Sequence, residues 1–112
     1  MENVSSTDWT KAEFKAYLLT YAARCNFFES EEEKELILSY VNQDQYKRIH
    51  KEIDQDNDYK SIQKIMYNLE KFNYSKNDLQ HLMTEIKNFL KADGNIDAEE
   101  ENLLIGLRHL FS

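Results

Sequence analysis

The chain carries no proline and only two glycines, Gly94 and Gly106, in 112 residues. Turn-rich β architectures rely on those residues to reverse the chain, whereas helices tolerate their absence. The apolar spacing agrees with helices. Leu79, Leu82, Met83, Ile86, Phe89 and Leu90 follow the i, i+3, i+4, i+7 rule, as do Ile62, Ile65, Met66, Leu69 and Phe72. Phe14, Leu18, Tyr21 and Cys25 form a similar stripe near the start, and Leu104, Leu107 and Phe111 another at the end.

Helix starts are marked between these stripes. Thr10 with Glu13, Ser30 with Glu33, Ser75 with Asp78 and Asp97 with Glu100 have the spacing of a capping box or a close relative of it. In that pattern the first side chain accepts a hydrogen bond from an otherwise unpaired N–H of the new helix. The reading is an all-α, compact bundle of about six helices, near residues 10–25, 30–42, 44–54, 58–72, 76–92 and 98–111. Residues 9–112 form one domain in this reading, after a flexible N-terminal segment, 1–8.

Lys and Arg number 14 against 21 Asp and Glu, a formal net charge of -7. Such a chain repels phosphates and anionic lipid headgroups, so nucleic acid is not an expected partner, and no Lys/Arg cluster in the sequence overrides that. Cations and basic protein surfaces are the expected attractions. No apolar stretch approaches the roughly 20 residues needed to span a bilayer, so direct membrane insertion is not expected. No signal peptide is visible and Cys25 is the only cysteine, which fits a reducing, cytoplasmic setting.

The chain repeats itself weakly. A shift of 68 positions places Leu18 on Ile86, Tyr21 on Phe89, Phe28 on Ile96, Glu32 on Glu100 and Leu36 on Leu104. Each copy reads as a long helix, a tight corner and an acidic helix start. Asn26 stands where Gly94 stands, and both residue types tolerate the left-handed conformation that ends a helix. The simplest account is a duplicated helical hairpin with two helices inserted between the copies.

The run Ala92-Asp93-Gly94-Asn95-Ile96-Asp97-Ala98-Glu99-Glu100 matches the second half of an EF-hand calcium loop. With Gly94 at the turn, Asp93, Asp97 and Glu100 take the fifth, ninth and twelfth positions. Phe89 and Lys91 fall where the first and third ligands belong, which rejects a standard EF-hand. Asp54-Gln55-Asp56-Asn57-Asp58 has the opposite defect: alternating carboxylates at the front, then Tyr59 in place of the glycine. Two readings of Asp93, Asp97 and Glu100 stay open. Helix capping accounts for them without an ion, and a divalent cation such as calcium, magnesium or manganese is the addition to it.

The same run, with Glu101 after it, resembles the TerB-like family of bacterial tellurite-resistance and stress proteins. The shared features are a helix ending in Ala-Asp-Gly, a short hydrophobic-acidic corner and a glutamate-rich helix start. The resemblance implies an all-helical fold with such a corner in both halves. It also implies a stress-response role through protein partners, basic or membrane-associated ones included, and related domains occur fused to partners such as J-domains. In the first corner Cys25-Asn26 replaces the expected Asp-Gly, leaving Glu29 and Glu32 as the degenerate counterpart of the cation ligands.

Nothing in the sequence assembles a catalytic constellation. His50, His81 and His109 are widely separated and form neither an HExxH pattern nor a close pair with Cys25, and no phosphate-binding or dinucleotide glycine loop is present. The expectation is an interaction module rather than an enzyme. Its two forms are a cation-binding domain and a purely structural helical adaptor for protein–protein contacts. The oligomeric state is not legible.

Overall fold

The computed structural model describes residues 8–24, 30–91 and 98–111. It contains six helices: α1 (Lys11–Ala23), α2 (Glu31–Leu38), α3 (Gln43–Gln55), α4 (Asp58–Lys71), α5 (Lys76–Leu90) and α6 (Ala98–Leu110), with no strand among the described residues. The all-α reading holds. The segment expected to be flexible lies, except for Asp8, outside the described residues.

Local sequence sets most of the boundaries. Thr10, Ser30 and Ser75 each accept a hydrogen bond from the N–H three residues on, and Glu13, Glu33 and Asp78 return the bond, so three expected capping boxes are present. Asn42 and Gln45 make a fourth, and Asn57 caps α4 through the Lys60 N–H. The fourth box explains a difference from the sequence reading. The second helix was expected to reach residue 42, but it ends at Leu38 because Asn42 is already the start of the next. Between α4 and α5, Tyr74 N–H donates to the Leu69 carbonyl and Asn73 N–H to that of Glu70, with Asn73 at φ 54°. This is a Schellman turn with asparagine in the left-handed position.

Helix α1 is the centre of the bundle. It packs against α2, α3, α4 and α5, while α6 packs chiefly on α5. The sequence reading gave α1 one apolar stripe. The structure buries Phe14, Ala16, Tyr17, Leu18, Leu19, Ala22 and Ala23, which occupy nearly its whole circumference. A helix contacted on all sides needs apolar residues all round, and the alanines let its neighbours approach closely. The other stripes fill in around it, with Ile37, Ile49, Ile65, Ile86, Leu90 and Leu107 all buried. Met66, on the expected stripe of α4, is instead 41% exposed.

Among the described residues, no helix is long and apolar enough to cross a membrane.

Candidate functional site

The acidic run at residues 54–58 forms the turn between α3 and α4, and its carboxylates are engaged from inside the molecule. Asp54 pairs with Arg24 at the end of α1. Asp58 accepts a hydrogen bond from the Tyr21 phenol at 2.7 Å. Asp56 accepts from the Tyr17 phenol at 2.8 Å and from Lys64 Nζ at 2.7 Å, and Lys64 also reaches Glu52 at 2.8 Å. The Ser61 hydroxyl lies 2.9 Å from the Tyr17 oxygen. A run that imitates the front of a calcium loop therefore fastens the α3–α4 turn to the central helix.

Burial shapes the protonation of this network. Desolvation works against the charge on Lys64, but the hydrogen bonds and field of Asp56 and Glu52 outweigh it and hold the ammonium above its ordinary range. Burial pushes the Tyr17 phenol up, and the Asp56 carboxylate adds to that effect. Both groups keep their protons at neutral pH. Through Asp56 they tie α1 and α4 to the turn between α3 and α4.

Of the residues expected to hold a cation, Asp93, Asp97 and Glu29 lie outside the described residues. Glu32 is exposed on α2 and Glu100 is buried on α6. The burial pattern shifts the internal repeat by one residue. The letters align Glu32 with Glu100, but Glu33 and Glu100 are the pair that is each 2% exposed. Each is the third residue of its helix, and Ile37 and Leu104 follow at matching buried positions. In α2 the buried glutamate accepts the Ser30 N–H at 2.9 Å, which is a capping function. Among the described residues, no group of three or more His, Cys, Asp or Glu side chains is arranged to hold a metal ion.

Among the described residues, two surface clefts stand out. The smaller, about 340 Å³, lies between α1, α2 and α5, with Leu36 and Tyr40 exposed on its wall. Its polar rim is already satisfied: Lys15 Nζ sits 3.0 Å from Glu85 Oε2, and the Tyr40 phenol donates to the same oxygen at 3.2 Å. The larger, about 460 Å³, runs between the antiparallel helices α5 and α6. Met83 and Leu104 form its floor, Ile105 stands on its wall at 47% exposure, and Lys87 and Arg108 edge it. An adjoining hollow shares Met83 and Arg108 and extends the cleft along α5 to Lys76.

This cleft is not legible in the sequence. Lys76, Lys87 and Arg108 are far apart in the chain and are hidden by the acidic balance, so they did not register as a basic cluster. The available signal was Ile105, a large apolar residue that falls off the Leu104, Leu107 and Phe111 stripe of α6.

No protein-family model, curated protein or solved structure matches this chain.

Proposed function

We propose that this chain is a TerB-like interaction module acting as a non-catalytic helical adaptor, which holds a protein partner against its α5–α6 face. The observation that carries the proposal is Ile105. It is an exposed β-branched residue on the wall of an apolar-floored cleft, where burial against a partner would be favourable. The Ala92-Asp93-Gly94 corner and the two hairpins, α1–α2 and α5–α6, support the TerB-like part of the reading. A cytoplasmic, bacterial stress-response setting belongs to that part of the proposal.

The adaptor form is preferred to the cation-binding form on one specific observation. Glu33, the burial counterpart of Glu100, is occupied in capping its helix, so a buried glutamate at this position has a role that needs no ion.

A benzophenone side chain placed at position 105 tests the docking face in cells that make the protein, with the same probe at Tyr59, 70% exposed on α4, as the comparison. The expected result is a discrete protein adduct from position 105 and none from position 59. Equal labelling from both sites, or no adduct at 105, would overturn the proposal.

A further inference from the structure

The α5–α6 cleft has a charge opposite to that of the chain that contains it. Among the described residues, Lys76, Lys87 and Arg108 line it, against one carboxylate, Glu101. The chain as a whole carries a formal charge of -7. All three cations are exposed, and among the described residues none is in an ion pair. This sets the cleft apart from the one beside α2, whose lysine and glutamate already satisfy each other.

The shape limits the occupant further. Lys76 to Lys87 spans about 16 Å along α5 at the usual helical rise, or about three turns. Between the cations lie the apolar residues Leu79, Met83 and Leu104, with Gln80 and Thr84 beside them. A groove between two antiparallel helices, with an apolar floor and charged edges, suits a third helix whose apolar stripe fills the floor and whose flanks carry the opposite charge.

Resting on the reading of this face as a docking surface, we propose that its occupant is an acidic amphipathic helix of about three turns. Apolar residues at i, i+3, i+4 and i+7 would lie over Met83 and Ile105, and Asp or Glu on the flanks would meet Lys76, Lys87 and Arg108. The chain's net charge of -7 supplies no general attraction for an acidic partner, so the pull comes from the cleft's own cations. The cleft therefore confers orientation as well as attraction.

The test uses the full isotope-labelled chain and three synthetic helices of about three turns that share one Leu/Ile stripe and carry Glu, Gln or Lys on the flanks. The Glu peptide is expected to give saturable amide shifts at Met83, Lys87, Ile105 and Arg108. It should bind about tenfold more tightly than the Lys peptide at low salt, a preference that shrinks as salt is added. The double variant Lys87→Glu/Arg108→Glu changes only exposed side chains and should invert the preference. The inference is overturned if the Lys peptide binds equally well, if the Glu peptide maps to the Leu36–Tyr40 cleft, or if no peptide binds. Concentration-dependent broadening of the same amides without peptide would make a second copy the occupant and would also overturn it. The docking face and its acidic occupant are separable by experiment. Adducts at position 105 without a preference for the Glu peptide would remove the acidic partner and leave the docking face standing, whereas no adduct at 105 would remove the face itself.

Discussion

The Tyr17 phenol and the Asp56 carboxylate meet at 2.8 Å, joining the middle of the central helix to the turn between α3 and α4. Tyr17 is fully buried and Asp56 nearly so, with 7% of its side chain exposed. A carboxylate at that depth is tolerable only because Lys64 and Tyr17 both donate to it.

Removing its partners one at a time should therefore be costly to different degrees. Tyr17→Phe deletes one hydrogen bond to a charged acceptor and should destabilise the fold by roughly 2 kcal/mol. Lys64→Met leaves Asp56 without a counter-charge and should cost roughly 3 kcal/mol or more. Adding Asp56→Asn to Lys64→Met should recover part of that loss, because the uncompensated charge is gone. Urea unfolding of these proteins and of Asp56→Asn alone checks this, and strictly additive losses in the Lys64/Asp56 cycle would show that the two groups do not act as a network.

Alkaline pH gives a second view of the same residues. Burial pushes Tyr74 up to about 12 and raises Tyr17 as well, and Lys64 is held above its ordinary range by Asp56 and Glu52. Each of these groups binds its proton more tightly in the folded chain than in the unfolded one. The stability they contribute is complete below the unfolded values, about 10 for tyrosine and slightly higher for lysine, and is lost as pH rises through the folded values. The unfolding midpoint should fall steadily above about pH 10, and Tyr17→Phe should make that fall shallower. An equally steep decline in the variant would mean that Tyr17 is not protected from ionisation.

Asn73 makes a sharper local prediction. Its φ of 54° lies in the left-handed region, at the position that closes the Schellman turn after α4. Asn73→Gly should leave stability equal or slightly higher, whereas Asn73→Ala should lower it by about 1 kcal/mol, because a Cβ without asparagine's local hydrogen bonding is strained there. Thermal melts that ranked alanine above glycine would contradict the turn geometry.

Gly106 predicts the opposite sign. It lies inside α6, and a Cβ built on it meets nothing within 4 Å. Gly106→Ala should therefore stabilise the chain by about 0.5–1 kcal/mol through helix propensity and a less mobile unfolded state. A melting temperature unchanged or lowered in the variant would show that α6 needs the glycine for something other than its own backbone.

These residues also show where the sequence was sufficient and where it was not. Thr10, Ser30 and Ser75 could be read as helix starts because capping is a local pattern, complete within four residues. The burial of α1 on nearly all sides could not, since it depends on which helices surround it, and Ala16 and Leu19 lie off the stripe that periodicity selects. The carboxylates at 54–58 looked like half a metal loop because their partners, Arg24, Tyr17 and Tyr21, come from α1 and its C-cap, thirty or more residues earlier. The α5–α6 cleft was hidden for the same reason. Its cations are brought together by the antiparallel pairing of two helices and by nothing in the spacing of the letters.

The acidic corner is the place where local pattern and tertiary placement can be set against each other by measurement. A cation ligand and a helix cap both put glutamate at the position of Glu100, but only the ligand responds to ions. Glu100 is 2% exposed, as is Glu33, which caps α2. If Glu100 has the same role, titrating metal-free protein with calcium, magnesium or manganese should leave the Glu99, Glu100 and Glu101 amides unmoved, apart from weak non-saturating drift. Asp93→Asn/Glu100→Gln should then behave as the parent does. Saturable shifts or manganese broadening confined to that turn, and absent in the double variant, would instead make the corner a metal site. That outcome would bear on the α5–α6 docking face through Glu101, which belongs to the same turn and also lines the cleft.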